Sequence, residues 1–111
     1  MEVMSSLVQD VNIVKLSGDL DGSTAPVVQT QIMPLATLNV KMILDMSGVS
    51  YMSSAGLRML LVMYRTIVSK SGKVVLVGLA EEIRDTMAMT GFLDFFTYVE
   101  TLDEGLQTLS S

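Results

Sequence analysis

Apolar residues recur along the chain at two spacings, and the switching between them outlines a fold. Val3–Val8 and Asn12–Leu16 are β-type runs separated by Gln9-Asp10. In the second, Ile13, Val14 and Leu16 are apolar while Asn12 and Lys15 are not, close to the two-residue period of a half-buried strand. The pair predicts a hairpin. A loop of small and acidic residues, GDLDGSTAP, follows. Ser23 or Thr24 suits a helix N-cap, and Pro26 fits the first turn, where its missing N–H leaves no intrahelical bond unmade. Val27, Val28, Gln31, Ile32 and Leu35 then form a stripe at i, i+4, i+7 spacing, and Pro34 predicts a break near Met33.

Val40–Leu44 is apolar in its last three positions and predicts a buried strand ending at Asp45. From Ser54 to Ser69 the helical period returns, with Leu57, Leu60, Leu61, Tyr64 and Val68 on one face and Arg58, Arg65 and Ser69 on another. Met59, Val62 and Met63 fall outside that stripe. Surplus apolar residues of this kind mean either burial on both sides of the helix or a face that docks a partner. Lys73–Val77 predicts a second buried strand closed by Gly78. A helix follows from Glu81 to Thr90, acidic in its first turn, with Gly91 as C-terminal cap. Phe95–Val99 reads as an edge strand. Thr101-Leu102-Asp103-Glu104 reads as a capping box, Glu104 bonding back to the Thr101 backbone, and opens a last helix carrying Leu102, Leu106 and Leu109. The order β-β-α-β-α-β-α-β-α predicts one α/β domain over residues 1–111: a mixed β-sheet with parallel core strands and right-handed crossovers, packed by about four helices.

Composition narrows what such a domain does. The sequence has no histidine and no cysteine, so Ser-His-Asp and Cys-His nucleophiles and the usual zinc sites are closed. The expectation is a binding or regulatory module, not an enzyme, with no metal and no cofactor of its own. A net charge of −5, with the seven basic residues dispersed, argues against binding nucleic acid directly. No segment approaches the ~20 apolar residues of a membrane span. The N-terminus MEVMSSLVQD lacks a basic region leading into an apolar one, so a cytoplasmic domain is expected.

In an α/β sheet the loops leaving the C-terminal ends of parallel strands gather at one edge, where sites are built. Two such loops stand out, Gly18-Asp19-Leu20-Asp21-Gly22 and the stretch from Asp45 to Ser54. If their strands are neighbours, Asp19, Asp21, Asp45, Ser53 and Ser54 share a rim. Taken singly these residues have plain structural readings: a serine before a helix is an N-cap, Asp19 and Asp21 form a solvated turn, and Asp45 caps the turn after its strand. A phosphate is favoured at the same place as a capping oxygen, by the same free N–H groups.

At these residues the chain resembles the STAS domains, and among them the anti-sigma-factor antagonists. "LSGDLDGSTA" is similar to the family pattern G-[DE]-L-D-x-x-[ST]-A, and "LDMSGVSYMSSAGLRML" to D-x-S-x-V-x-x-[MI]-D-S-[SAT]-G-[LI]. The resemblance spans essentially the whole chain. It implies that Ser54, two residues before Gly56, is phosphorylated by an anti-sigma factor that is also an ATP-dependent serine kinase. Asp19 and Asp21 match acidic loop positions near the phosphoserine and the partner surface, and Asp45 matches the aspartate closing the central strand. Ser53 stands where the family usually has aspartate, which makes it an alternative acceptor. The partner surface implied comprises Asp19, Asp21, Ser53, Ser54, Ala55, Gly56, Arg58 and Met59.

The function so implied is partner switching in a stress response. The unphosphorylated protein binds the kinase and frees a sigma factor, phosphorylation ends that binding, and a serine phosphatase resets it. ATP and Mg²⁺ belong to the kinase, since this chain has no G-x-x-x-x-G-K-[ST] loop. A second reading keeps the fold but makes the domain an unphosphorylated scaffold or regulatory subunit of a signalling or transporter assembly. A third, a metal site of Asp19, Asp21 and Asp45 as in phospho-aspartate receivers, lacks the lysine such sites need, because Gly78-Leu79 fills its place.

Overall fold

Five strands and four α-helices follow the predicted order in the computed structural model, which describes residues 1–110. Strands β1 (Glu2–Val8) and β2 (Val11–Ser17) pair antiparallel in unbroken register. The two residues between them, Gln9 and Asp10, have φ of 53° and 66°, the left-handed pair that lets a two-residue turn match strand twist. The remaining strands, β3 (Lys41–Gly48), β4 (Lys73–Val77) and β5 (Thr97–Val99), are added in parallel, so the sheet runs β1-β2-β3-β4-β5.

That order determines where the helices lie. Helices α1 (Ala25–Ile32), α2 (Ser54–Ser69) and α3 (Glu81–Met89) each connect one parallel strand to the next, always stepping the same way across the sheet. Crossovers of one hand stepping in one direction must all cover one face. Accordingly Val28 and Ile32, Leu60 and Ile67, and Ile83 and Met87 join Val14, Leu16, Met42, Leu44 and Leu76 in a single core. Helix α4 (Leu102–Leu109) is not a crossover and covers the opposite face, where Leu109 packs with Val11, Ile13, Ile43, Val75 and Val77. It lies close: a Cβ on Gly105 would come within 3.0 Å of the Ile43 side chain. No helix among the described residues is long and apolar enough to cross a membrane.

Several boundaries differ from expectation for identifiable reasons. Strand β3 continues through Asp45 to Gly48, because polar Asp45 occupies the less covered face while Met46 returns to the main core. The segment from Phe92 to Phe95 is a 3-10 turn, leaving β5 only Thr97–Val99. The helix ending at Ile32 passes into a 3-10 turn at Met33–Leu35, where Pro34 interrupts the ladder. Val27 and Val68, placed on buried stripes by spacing, are both 47% exposed. The buried sector of α2 is instead broad, taking in Met59, Met63 and Ile67, because the helix packs on the sheet and against α1 as well. The Thr101 hydroxyl accepts from the Glu104 N–H, as a capping box requires, but Glu104 Oε1 accepts from the Thr101 hydroxyl and not from its backbone.

Candidate functional site

Beyond their strands, β2 and β3 keep pairing for one more contact, and that contact assembles the site. Leu20 forms an isolated parallel bridge with Met52. The Leu20 N–H donates to the Tyr51 carbonyl at 2.9 Å, and the Ser53 N–H donates to the Leu20 carbonyl at 2.8 Å. Leu20 itself is fully buried, so an apolar residue between two aspartates plugs the loop into the core. The bridge therefore sets Asp19 and Asp21 beside the 50–54 segment, as neighbouring strands predicted. The Ser50 hydroxyl donates to Asp19 Oδ1 at 3.4 Å across the two loops.

The two adjacent serines have separate positions. Ser53 is extended and half-buried, and its hydroxyl accepts from the Gly56 N–H at 3.3 Å, making it the N-cap of α2. Ser54 is the first helical residue and is exposed, and its hydroxyl has no hydrogen bond among the described residues. The capping role that spacing offered to Ser54 thus falls to Ser53. The N–H groups of Ser54 and Ala55, in the opening turn, have no intrahelical acceptor.

Asp21 is a turn-former. Its Oδ1 accepts from the Ser23 N–H at 2.9 Å, the Ser23 hydroxyl at 2.8 Å and the Thr24 N–H at 3.1 Å. These bonds, with that of the Ser23 hydroxyl foremost, hold its carboxyl below the ordinary aspartate range. Thr24 occupies the N-cap position of α1 without capping it: its hydroxyl accepts from the Asp21 N–H and donates to the Asp19 carbonyl. Asp19 remains exposed.

Three expected site residues lie elsewhere. Asp45 shares the α4 face of the sheet with Ile43, next to Lys15 in register, and its Oδ1 accepts from the Ser47 hydroxyl at 2.7 Å. The sheet therefore stands between Asp45 and α2. Met59 is 4% exposed and belongs to the core, so the reading of burial on both sides applies to it and a place on the partner face does not. Gly56 is also buried: a Cβ there would stand 2.7 Å from the Leu20 carbonyl oxygen. It serves the site by allowing close approach, not by contact with a partner. Ala55 is half-buried and Arg58 exposed. No group of three acidic residues among the described residues is arranged to hold a metal ion.

Spacing gave no warning of what lies on the other side of Ser54. The 50–54 segment and α3 enclose a cleft of about 420 Å³, lined by Tyr51, Met52, Ser54, Ile83, Thr86 and Met87 among others. The available signals were weak: an exposed Tyr51 inside the serine motif, and an α3 polar on its outer side without any motif.

Comparison with known proteins agrees with this fold. A family model described as the STAS domain matches residues 3–105. The chain is 27% identical over 94 residues to the anti-sigma-B factor antagonist of Bacillus subtilis, covering 85% of this chain and 86% of that one. In fold it resembles an anti-sigma factor antagonist from Mycobacterium paratuberculosis, with a TM-score of 0.85 at 23% identity over 99% of this chain and 94% of the other. It also resembles the phosphorylated form of the Bacillus cell fate determinant SpoIIAA, with a TM-score of 0.72 at 17% identity over 97% and 99% of the two chains.

Proposed function

The chain belongs to the STAS domain family, and from that membership we propose that it is an anti-sigma-factor antagonist switched by phosphorylation of Ser54. Unphosphorylated, it binds an anti-sigma-factor serine kinase in the cytoplasm and thereby releases a sigma factor. Phosphorylated, it lets go until a serine phosphatase restores the hydroxyl. The observation that carries this reading is the division between the two serines. Ser53 is engaged as a cap, while the neighbouring hydroxyl, at the position the family motif modifies, is exposed and free.

The position also makes the switch act on binding and not on folding. A phosphate brings roughly two negative charges and three acceptor oxygens. At the start of α2 it meets unpaired N–H groups and the positive end of the helix dipole, so the domain tolerates it. Across a closed interface the same group is stripped of water beside Asp19 and its acidic loop. A desolvated, unpaired interfacial charge costs about 2–5 kcal/mol, about tenfold to a few thousandfold in affinity.

The test is to incubate the protein with ATP, Mg²⁺ and the candidate anti-sigma-factor kinases of its organism, then titrate both forms against the kinase that labels it. Tight binding before labelling and at least tenfold weaker binding after it, with an unchanged circular dichroism spectrum, is expected. A protein that no kinase labels is a scaffold or regulatory subunit, and the proposal is wrong.

A further inference from the structure

The cleft beside Ser54 has an apolar floor and one charged lining residue, Glu82, and the reading above leaves it without a role. Leu57, Ile83 and Met87 are 8%, 7% and 0% exposed and, with Met52, form the floor. Ser54, Thr86 and Glu82 stand around it. The volume of about 420 Å³ lies within the range of pockets that enclose a ligand group. No lysine or arginine lines it, whereas Glu82 does, and Ser50 on the opposite wall is bonded to the Asp19 carboxylate at 3.4 Å. An occupant complementary to this surface has an apolar tip and a cationic group beside it.

We propose that this cleft is the anchor pocket for the kinase, receiving one apolar side chain from a segment that also presents a lysine or arginine to Glu82. The inference rests on the function proposed above and adds where the affinity comes from. A buried apolar anchor in a preformed pocket is the usual centre of an interface, and methionine floors adapt to the shape of what enters. It also predicts that a charge on Ser54 acts strongly. Ser54 lines the pocket, so a phosphate on it competes for the same space as the anchor and loses its water when the pocket fills. Phosphate and anchor exclude each other, and modification releases the partner by closing its main foothold.

The variant Thr86→Trp tests this, because Thr86 is exposed on α3 and an indole there fills the mouth without touching the core. In the first arm, cyclohexylmethylammonium is titrated into methyl-labelled protein. Saturable shifts of the Met52 and Met87 methyl signals are expected, with Met4 on β1 unmoved, and their loss in Thr86→Trp. Absence of these shifts in the unaltered protein overturns the proposal. In the second arm, the kinase that labels Ser54 is titrated calorimetrically without ATP. Thr86→Trp is expected to bind at least about tenfold more weakly with an unchanged melting temperature, while Thr86→Val stays within twofold. Binding by Thr86→Trp within twofold of the unaltered protein overturns the proposal, and if the probe still binds, the cleft belongs to a small molecule. Failure of the underlying reading looks different: the unaltered protein is then neither labelled nor bound by any kinase.

Discussion

Replacing Gly56 by alanine adds one methyl group and is expected to destabilise the domain out of proportion to its size. The new Cβ would lie 2.7 Å from the Leu20 carbonyl oxygen and 2.9 Å from Leu20 Cγ. That carbonyl is already held by the Ser53 N–H at 2.8 Å, so neither side relieves the clash by changing a rotamer. Overpacking of this kind costs about 1–3 kcal/mol, offset by at most about 1 kcal/mol from alanine's better helix propensity. With a backbone oxygen at 2.7 Å the clash belongs at the upper end of that range, and a net loss of about 2 kcal/mol corresponds to a fall in melting temperature of about 9 °C for a domain of this size. Gly56→Val, with a second branch at Cβ, falls further. Thermal unfolding followed by circular dichroism measures the effect. Gly22→Ala is the control, since its Cβ would meet only the Ala55 Cβ at 3.9 Å, and it should be neutral or slightly stabilising. If Gly56→Ala melts no lower than Gly22→Ala, the close approach of α2 to Leu20 is not what holds the two loops together.

Loss of the α2 cap should make Ser53→Ala about 1 kcal/mol less stable in urea unfolding, while Ser54→Ala stays within about 0.5 kcal/mol of the unaltered protein. Met59→Ala should cost about 2–5 kcal/mol by the same assay, whereas Arg58→Glu, at an exposed position, leaves stability within about 0.5 kcal/mol and weakens kinase binding in calorimetry. Asp21 has a lower pKa folded than unfolded, so its stabilisation is complete above the ordinary aspartate value of about 4 and is lost as pH falls through its lower folded value. Urea unfolding at pH 7 and pH 3 should therefore show the advantage of the unaltered protein over Asp21→Ala shrinking at the lower pH; an unchanged difference would contradict the role given to its hydrogen bonds.

Much of this was legible from residue spacing because the signals were local. The period-two run in β2, Pro34 after a helical stripe, Gly91 after α3 and the Thr101–Glu104 pair each act within a few residues of themselves. Alternation of strand and helix implied a mixed sheet with parallel core strands, but the neighbouring of the two loops stayed conditional on a strand order that only the structure supplies. Less legible was anything set by which neighbour covers a face. On a helical wheel Val68 lies on the apolar stripe and Met59 outside it, yet α1 and the sheet bury Met59 and leave Val68 exposed. Asp45 sits in a motif with Ser54, yet the pleat turns it to the α4 face. The cleft depends on α3, distant in sequence and carrying no motif. As for the serines, spacing offered a cap without saying which residue makes it, and the resemblance named Ser54 as acceptor with Ser53 as the alternative; the bond from the Gly56 N–H assigns the cap to Ser53.

The central claim concerns one oxygen atom, and site-resolved mass spectrometry after reaction with kinase and ATP reads it directly. Phosphate should appear on Ser54 in the unaltered protein and in Ser53→Ala, and should vanish in Ser54→Ala while that variant still binds the kinase. Labelling that survives in Ser54→Ala and is abolished in Ser53→Ala would contradict the account, because the phosphate would then sit on the hydroxyl that caps α2.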